Sequence, residues 1–286
     1  MSTFDTIVLA IVQGLAELLP ISSSAHVIIA EKLLGLDPTS PPMTLLLVML
    51  HTGTMVAVIV YFWRQWRATY FQSLAALRGF AGRVVAATVL TAAVAEGIWL
   101  GIAKTALAGH PHAEIEELFG HLEVIAPALA VAGILIVAAG LIAARRPAPP
   151  GDDTLRPGQA GVIGAVQGLC LPFRGFSRSG ATISTGLLLG VSRREAEAFS
   201  FALAVVLTPP VVAREALRLL HSQGLGAAGI AGAAWQSLLG ALVAFGAGLV
   251  ALRWLSRWLQ GGRWYFFGIY CLFAAAAVEL LHAAGY

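Results

Sequence analysis

Six stretches of this chain are apolar enough, and nearly all long enough, to cross a lipid bilayer, and no other feature limits its fold so strongly. A hydrocarbon core of about 30 Å takes roughly 20 apolar residues per helix. Residues 43–63, 84–107, 124–144, 199–220, 225–252 and 264–282 meet or approach that length, and the third and fifth carry no charge. Only 12% of the 286 residues are charged, 18 basic and 15 acidic, and the mean hydropathy is +0.81. Soluble domains carry about 25% charge, so these side chains cannot solvate a globule of this size, although they can populate membrane loops. An ordinary cytosolic enzyme, a disordered chain and a nucleic-acid binder are excluded together. The net charge of +3 and the pI near 9.1 fit an excess of arginine in cytoplasmic loops rather than a polyanionic partner.

The basic residues then set the orientation. Arg64, Arg67, Arg78 and Arg83 follow the first stretch, Arg145, Arg146 and Arg156 the third, and Arg253, Arg257 and Arg263 the fifth, so these loops are expected on the cytoplasmic side. The loop after the second stretch holds Glu114, Glu116, Glu117 and Glu123 with no lysine or arginine, and is expected outside. No signal peptide is expected, because the first charge is Asp5 and no cleavage pattern follows. Cys170 and Cys271 lie in separate apolar stretches and form no disulfide or metal spacing.

Two further apolar regions, 5–36 and 159–191, are interrupted near their middles. In the first, Glu17, Pro20 and Ser22 to Ser24 break the run; in the second, Arg174, Gly175, Ser177, Arg178, Ser179 and Gly180 do. Each arm has about 11 to 15 residues, too short to cross at 1.5 Å per residue. The natural expectation is a re-entrant helix, turn and helix, with one kinked spanning helix per region as the alternative.

The halves also repeat. Val12-Gln13-Gly14-Leu15 recurs as Val166-Gln167-Gly168-Leu169, and Leu33-Leu34-Gly35 as Leu188-Leu189-Gly190, at offsets of 154 and 155 residues. Three spanning stretches follow each copy, and three is odd, so the second copy starts on the opposite side. The chain is therefore expected to be an all-α polytopic membrane protein: one membrane domain over 1–286, six transmembrane helices, and two re-entrant hairpins in an inverted-topology repeat of 1–146 and 159–286. Pro147, Pro149, Pro150 and Pro157 mark the boundary between halves.

Ionisable groups at membrane depth are costly and point to function. Glu17, His26, Arg174 and Arg178 are the central candidates, followed by His51 and Glu96. Both interruptions bring charge to one depth, so a shared site is expected. Each polar turn also precedes a helix start, expected at Ala25 and Ala181, whose first N–H groups and macrodipole favour an anion. With a guanidinium that grips phosphate bidentately, this describes a phosphate or diphosphate pocket. The plainer alternative is that the serines only cap helices and Arg178 pairs with Glu17. A carboxylate beside phosphate must be protonated, bridged by a metal, or acting as a base, and Glu17 is open to all three.

Gly14-Leu15-Ala16-Glu17-Leu18-Leu19-Pro20-Ile21-Ser22-Ser23-Ser24-Ala25-His26 resembles the first signature of the undecaprenyl-diphosphate phosphatase family, the bacitracin-resistance membrane phosphatases. Gly175-Phe176-Ser177-Arg178-Ser179-Gly180-Ala181-Thr182-Ile183-Ser184 resembles its second, and the likeness extends to Leu189-Gly190-Val191-Ser192-Arg193 and Phe199-Ser200-Phe201. The resemblance implies hydrolysis of undecaprenyl diphosphate to the monophosphate and phosphate, recycling the cell-wall carrier lipid. It also implies a site facing the periplasm from the bacterial inner membrane, with a divalent cation, magnesium or calcium, assisting. Carried onto this chain, it makes Glu17 a metal ligand or base, Ser23 a nucleophile or substrate ligand, His26 the motif histidine, and Arg178 the diphosphate clamp. Gln13, Ser22, Ser24, Arg174, Ser177, Ser179 and Thr182 are expected to line the substrate.

Three positions depart from the family pattern. Gln13 replaces a usual glutamate and weakens the expectation of metal dependence, Ser24 and Ala25 replace threonine and glycine, and Arg174 replaces proline. A polyprenyl-phosphate translocase is the rival reading, because inverted repeats with broken helices also typify transporters. The expected partners are the polyprenyl lipid and the bilayer, with no nucleic acid. Outside the motifs, Trp63, Trp66, Trp99, Trp254, Trp258, Trp264 and Tyr265 are expected as interfacial anchors. Gly240, Gly246 and Gly248 are expected at close helix contacts, and Arg214, Glu215 and Arg218 as a mutual ion pair on one helix face.

Overall fold

The computed structural model describes residues 1–38, 40–105, 122–146, 155–221 and 227–283. The outer loop with His110, His112, His121 and its glutamates through Glu117, and residues 147–154 of the link between halves, lie outside the described residues, as do the side chains of Glu123, Glu215 and Arg218. Every regular element among the described residues is a helix: α1 Thr3–Leu18, α2 Ser23–Leu33, α3 Pro41–Thr69, α4 Leu74–Thr105, α5 Leu122–Arg145, α6 Pro157–Cys170, α7 Arg178–Leu188, α8 Arg193–His221, α9 Ala227–Gln260 and α10 Tyr265–Ala283.

Six of these, α3, α4, α5, α8, α9 and α10, are long and apolar enough to cross a membrane, which bears out the six expected stretches and makes this a multi-pass membrane protein. Their ends differ from the expectation. Helix α3 runs on to Thr69 and α4 starts at Leu74, so Arg64, Arg67, Arg78 and Arg83 are helical and only residues 70–73 connect the two. Arginine is a good helix former, and a helix may continue into the headgroup region on polar residues that hydropathy does not detect. Arg83 there donates to Leu155 O at 3.2 Å. Nearby, Tyr70 is buried, stacks on Phe80 and donates to Glu195 Oε1 at 2.8 Å. Burial, and then the Glu195 carboxylate, push its phenol up.

Each interrupted region consists of two helices with a non-helical turn. Helices α1 and α2 have 16 and 11 residues, and α6 and α7 have 14 and 11. At about 1.5 Å per residue none of the four spans the hydrocarbon core alone. Helix α1 opens on a capping box in which Ser2 Oγ accepts from Asp5 N and Asp5 Oδ2 from Ser2 N. The Ser2 backbone N–H, and then its hydroxyl, hold the Asp5 carboxyl below its usual range.

The chain forms two compact units, one of residues 1–19, 23–64 and 204–255, the other of 20–22, 65–203 and 256–286. In the first, Leu9 and Ala10 of α1 pack with Met43, Leu46 and Leu50 of α3 and Ala244 of α9. Missing side chains bring these helices together. A Cβ on Gly14 would fall 2.6 Å from Ala247 Cβ and 2.7 Å from Ala244 O, and one on Gly53 would fall 2.3 Å from Ala241 O. Gly240 and Gly248 also sit at close contacts, as expected, but Gly246 has nothing within 4 Å of its would-be Cβ.

In the second unit, Val84 and Ala87 of α4 pack with Ala160 and Ile163 of α6 and Phe199 and Leu203 of α8. Here a Cβ on Gly168 would fall 2.6 Å from Thr91 O and 2.8 Å from Val94 Cβ, and Gly133 of α5 meets Gly268 of α10 backbone to backbone. Two tryptophans depart from the expected interfacial belt. Trp66 and Trp264 are buried, donating to Ala198 O at 3.2 Å and Ser184 Oγ at 2.9 Å, while Trp63, Trp99 and Trp254 are exposed. Indole satisfies its single N–H wherever an acceptor is near, and sequence position alone does not show which acceptor that is.

Because Gly53 touches the α9 backbone, Gly53→Val should cost about 1–3 kcal/mol through overpacking. Gly246→Ala, with open space beside it, should leave stability unchanged or slightly raised. Thermal unfolding of both variants in detergent checks the pair.

Candidate functional site

Gln13 and Glu17 lie four residues apart on α1 and so share a face. The helix ends where Pro20 lacks an amide to continue it, and Ser22 then turns the chain at φ +68, the one positive φ outside glycine among the described residues. That left-handed conformation costs an L-residue about 1–2 kcal/mol, and such strain clusters at functional turns. It starts α2 at Ser23, two residues before the expected Ala25, so Ser23 and Ser24 are first-turn residues rather than a leading loop.

The result is a compact polar cluster. Ser23 Oγ donates to Glu17 Oε2 at 2.6 Å, and Gln13 Nε2 donates to the same oxygen at 3.3 Å. The imidazole of His51 on α3 brings Nε2 to 3.9 Å from it. Gln13 and Ser22 are buried, while Glu17, Ser23, Ser24 and His26 are half-buried. His26 sits one turn beyond Ser23 on α2. A hydroxyl hydrogen-bonded to a carboxylate at this distance is a short, charge-assisted contact, the arrangement in which a carboxylate can take a proton from an attacking oxygen.

The second turn is built differently. Gly175 adopts φ +98, and a Cβ there would fall 2.6 Å from Ile125 O, so the chain turns tightly against α5. Ser177 caps α7, its Oγ accepting from Gly180 N at 3.2 Å, which bears out the capping role for this serine. Helix α7 therefore begins at Arg178, three residues before the expected Ala181, and the guanidinium extends from the first helical residue. Thr182 Oγ1 bonds to Arg178 O at 2.8 Å and Ser200 Oγ at 2.6 Å. Ser179, Thr182 and Ser184 are buried, Arg178 is half-buried, and Arg174 is exposed.

Three residues that sequence reasoning undervalued or missed support these turns. His51 ranked behind the motif histidine because a lone histidine in an apolar stretch has no spacing to recommend it. Ser200 of α8 and Trp264, just before α10, both bond to α7, although neither is marked out in the sequence as a site residue. Glu96, the other secondary candidate, is exposed on α4. Among the described residues no group of three or more His, Cys, Asp or Glu is placed to hold a metal ion. Among the described residues Glu17 is the carboxylate of the first cluster, with neutral oxygens on Ser23 and Gln13 beside it, less charge than an all-protein magnesium or calcium site carries.

A sequence profile described as bacitracin resistance protein BacA matches residues 6–277, nearly the whole chain. The chain belongs to the BacA family. Its similarity to an Acinetobacter baylyi protein named undecaprenyl-diphosphatase 2 is 52% identity over 98% of both chains. A Desulfosudis oleivorans protein named undecaprenyl-diphosphatase is 34% identical over 95% of both. The family that the two motifs resemble is thus the one the full length matches, and both relatives carry a hydrolase's name. In this BacA chain the acid, amide and serine of the first motif meet at one carboxylate oxygen, and the serine, arginine and threonine of the second share one helix start.

Ser22 already occupies a conformation that glycine adopts freely, so Ser22→Gly should preserve or slightly raise the unfolding temperature. A β-branched residue there is strained, and Ser22→Val should lower stability by about 1–2 kcal/mol. Circular-dichroism melts of the two variants check the turn.

Proposed function

We propose that this chain is an undecaprenyl-diphosphate phosphatase of the bacterial inner membrane, splitting the lipid diphosphate into undecaprenyl phosphate and inorganic phosphate on the periplasmic side. The observation that carries the reading is the Ser23–Glu17 contact of 2.6 Å, set within the motif of a family whose relatives are named for this hydrolysis. Glu17 Oε2 takes the Ser23 hydroxyl proton as Oγ attacks the terminal phosphorus. The Oγ–P bond forms, the bridging P–O bond breaks, and undecaprenyl phosphate leaves with the electron pair. Water then cleaves the phosphoserine, releasing phosphate and restoring the hydroxyl. Gln13 holds the carboxylate from within its own helix. His26 serves as the proton donor to departing oxygen, and Ser22 and Ser24 line the head group with backbone and hydroxyl donors.

Arg178, carried on the start of α7 with Ser177, Ser179 and Thr182 around it, clamps the same diphosphate, and Arg174 adds charge to the approach. This joint role rests on the paired motifs and on the chemistry of a guanidinium at a helix N-terminus. A divalent cation fits as a substrate-borne partner: Glu17 is the carboxylate that would hold it together with phosphate oxygens, and bound there it would neutralise charge on the diphosphate. Gln13 supplies no negative ligand, so dependence on the ion is weaker than a glutamate at that position would confer.

The two interrupted regions are read as re-entrant hairpins in an inverted repeat. The contacts of two glycines support this. Gly14 meets a carbonyl and, three residues on, a Cβ of α9; its counterpart Gly168 meets a carbonyl and, three residues on, a Cβ of α4. Each motif helix thus packs, by the same glycine, on the long helix of the other half.

Phosphate release from undecaprenyl diphosphate by the purified protein tests the assignment. Arg178→Ala should lower it by about 10²-fold or more while membrane insertion is retained; near-normal turnover would remove Arg178 from the site. Gln13→Glu adds a carboxylate beside Glu17 and should steepen the response to added magnesium, read both as activity against chelator and as calorimetric magnesium binding.

A further inference from the structure

The Glu17 cluster contains one polar group that the motifs do not include, and it comes from a third helix. On α3, His51 Nδ1 lies 2.8 Å from Leu47 O, one turn earlier. A carbonyl only accepts, so Nδ1 carries the proton of that bond and the ring is held in one orientation. Its other nitrogen, Nε2, points to Glu17 Oε2 at 3.9 Å, the same oxygen that Ser23 and Gln13 address. The backbone around it is equally fixed. Thr54 Oγ1 donates to His51 O at 2.9 Å, and Gly53 sits against the α9 backbone at Ala241. The imidazole is the open member of the pair, 40% exposed against 16% for the Glu17 side chain. A ring with one nitrogen committed, its helix locked and its free nitrogen facing a functional carboxylate fits a site better than a packing role, for which an apolar side chain of that size would serve as well.

We infer that His51 is a positioning residue for Glu17: in its doubly protonated form, with Nδ1–H on Leu47 O, the ring presents a second N–H at Nε2, so that the carboxylate keeps Oε2 turned to Ser23 while the substrate arrives. Three helices then fix one oxygen: Gln13 from α1, Ser23 from α2 and His51 from α3. This inference rests on the hydrolase reading above, but it assigns a residue that neither signature contains.

The test uses the full chain in detergent with undecaprenyl diphosphate and compares His51→Phe, His51→Asn and His51→Gln. Phenylalanine keeps the ring volume and removes both nitrogens. Asparagine places its amide nitrogen where Nδ1 was, preserving the bond to Leu47 and leaving nothing at Nε2. Glutamine reaches the Nε2 position with an N–H. His51→Phe and His51→Asn should lower kcat about tenfold with KM held within about twofold, because the loss concerns alignment at the reacting oxygen rather than lipid binding. His51→Gln should recover to within about threefold of the parent kcat, with melting temperatures of all three close to it. An Asn variant with full kcat, a Gln variant as slow as Phe, or a loss that tracks the melting temperature overturns the inference. A parent protein that releases no phosphate overturns the hydrolase reading and this inference with it; a parent that turns over beside an equally active Phe variant overturns the inference alone.

Discussion

A backbone amide or carbonyl left without a partner in hydrocarbon costs several kcal/mol, and that constraint decides which parts of this chain are regular and which can do chemistry. Six long helices satisfy their own backbones and cross. The turns at 19–22 and 171–177 are the conspicuous exceptions within apolar sequence, and each finds partners locally. Leu19 N bonds back to Leu15 O, Phe176 N to Phe173 O, and the Ser177 hydroxyl takes Gly180 N. Having left the helix, the chain exposes side chains and donors in directions a continuous helix never offers. The motif residues gather at the two places where regularity stops.

Glycine contact is the second half of that economy. Lipid tails are as apolar as leucine, so helices in a bilayer associate through close fit rather than through exclusion from water. Gly14 and Gly53 let α1 and α3 each lie directly on the α9 backbone. That common support brings Glu17 from one helix and His51 from the other within 3.9 Å. The charged cluster is thus held by residues with no side chain, which is why a glycine three residues before Glu17 matters to its chemistry.

Much of this was legible in the sequence, and the unread remainder has physical causes. Long apolar runs report crossing helices because bilayer thickness sets their length, and six of six are found as helices. Their ends were misread because an arginine such as Arg78 reports where the hydrocarbon stops, not where the helix does. The turns at Pro20 and Gly175 were visible as breaks, since proline lacks an amide and glycine alone takes φ +98 without strain. Ser22 was not legible as the strained residue, because any of three consecutive serines could have taken the positive φ. His51 was a weak candidate, and Ser200 none at all, for a related reason. Their roles exist only through helix packing, and no local pattern encodes which helix face meets which.

The two motif glutamines show how far one repeated sequence can diverge in use. Gln167 is fully buried, its Nε2 donating to Thr91 Oγ1 at 3.1 Å, and that hydroxyl lies 2.8 Å from both Ala87 O and Gly164 O. It fastens α6 to α4 and touches no charge. Gln13, its counterpart, turns the same amide onto Glu17. The difference follows from the residue four positions later: at 171 the chain has leucine, so no carboxylate competes for the amide, whereas at 17 it has glutamate. The reverse holds at the turns, where Arg178 stands in one copy and a serine in the other. The repeated motifs therefore keep their glycine contacts in both copies, while the carboxylate stands in one and the guanidinium in the other. On the proposed reading that division suits a polyanionic substrate: a carboxylate alone repels a diphosphate, and a guanidinium alone binds it without a base to start the reaction.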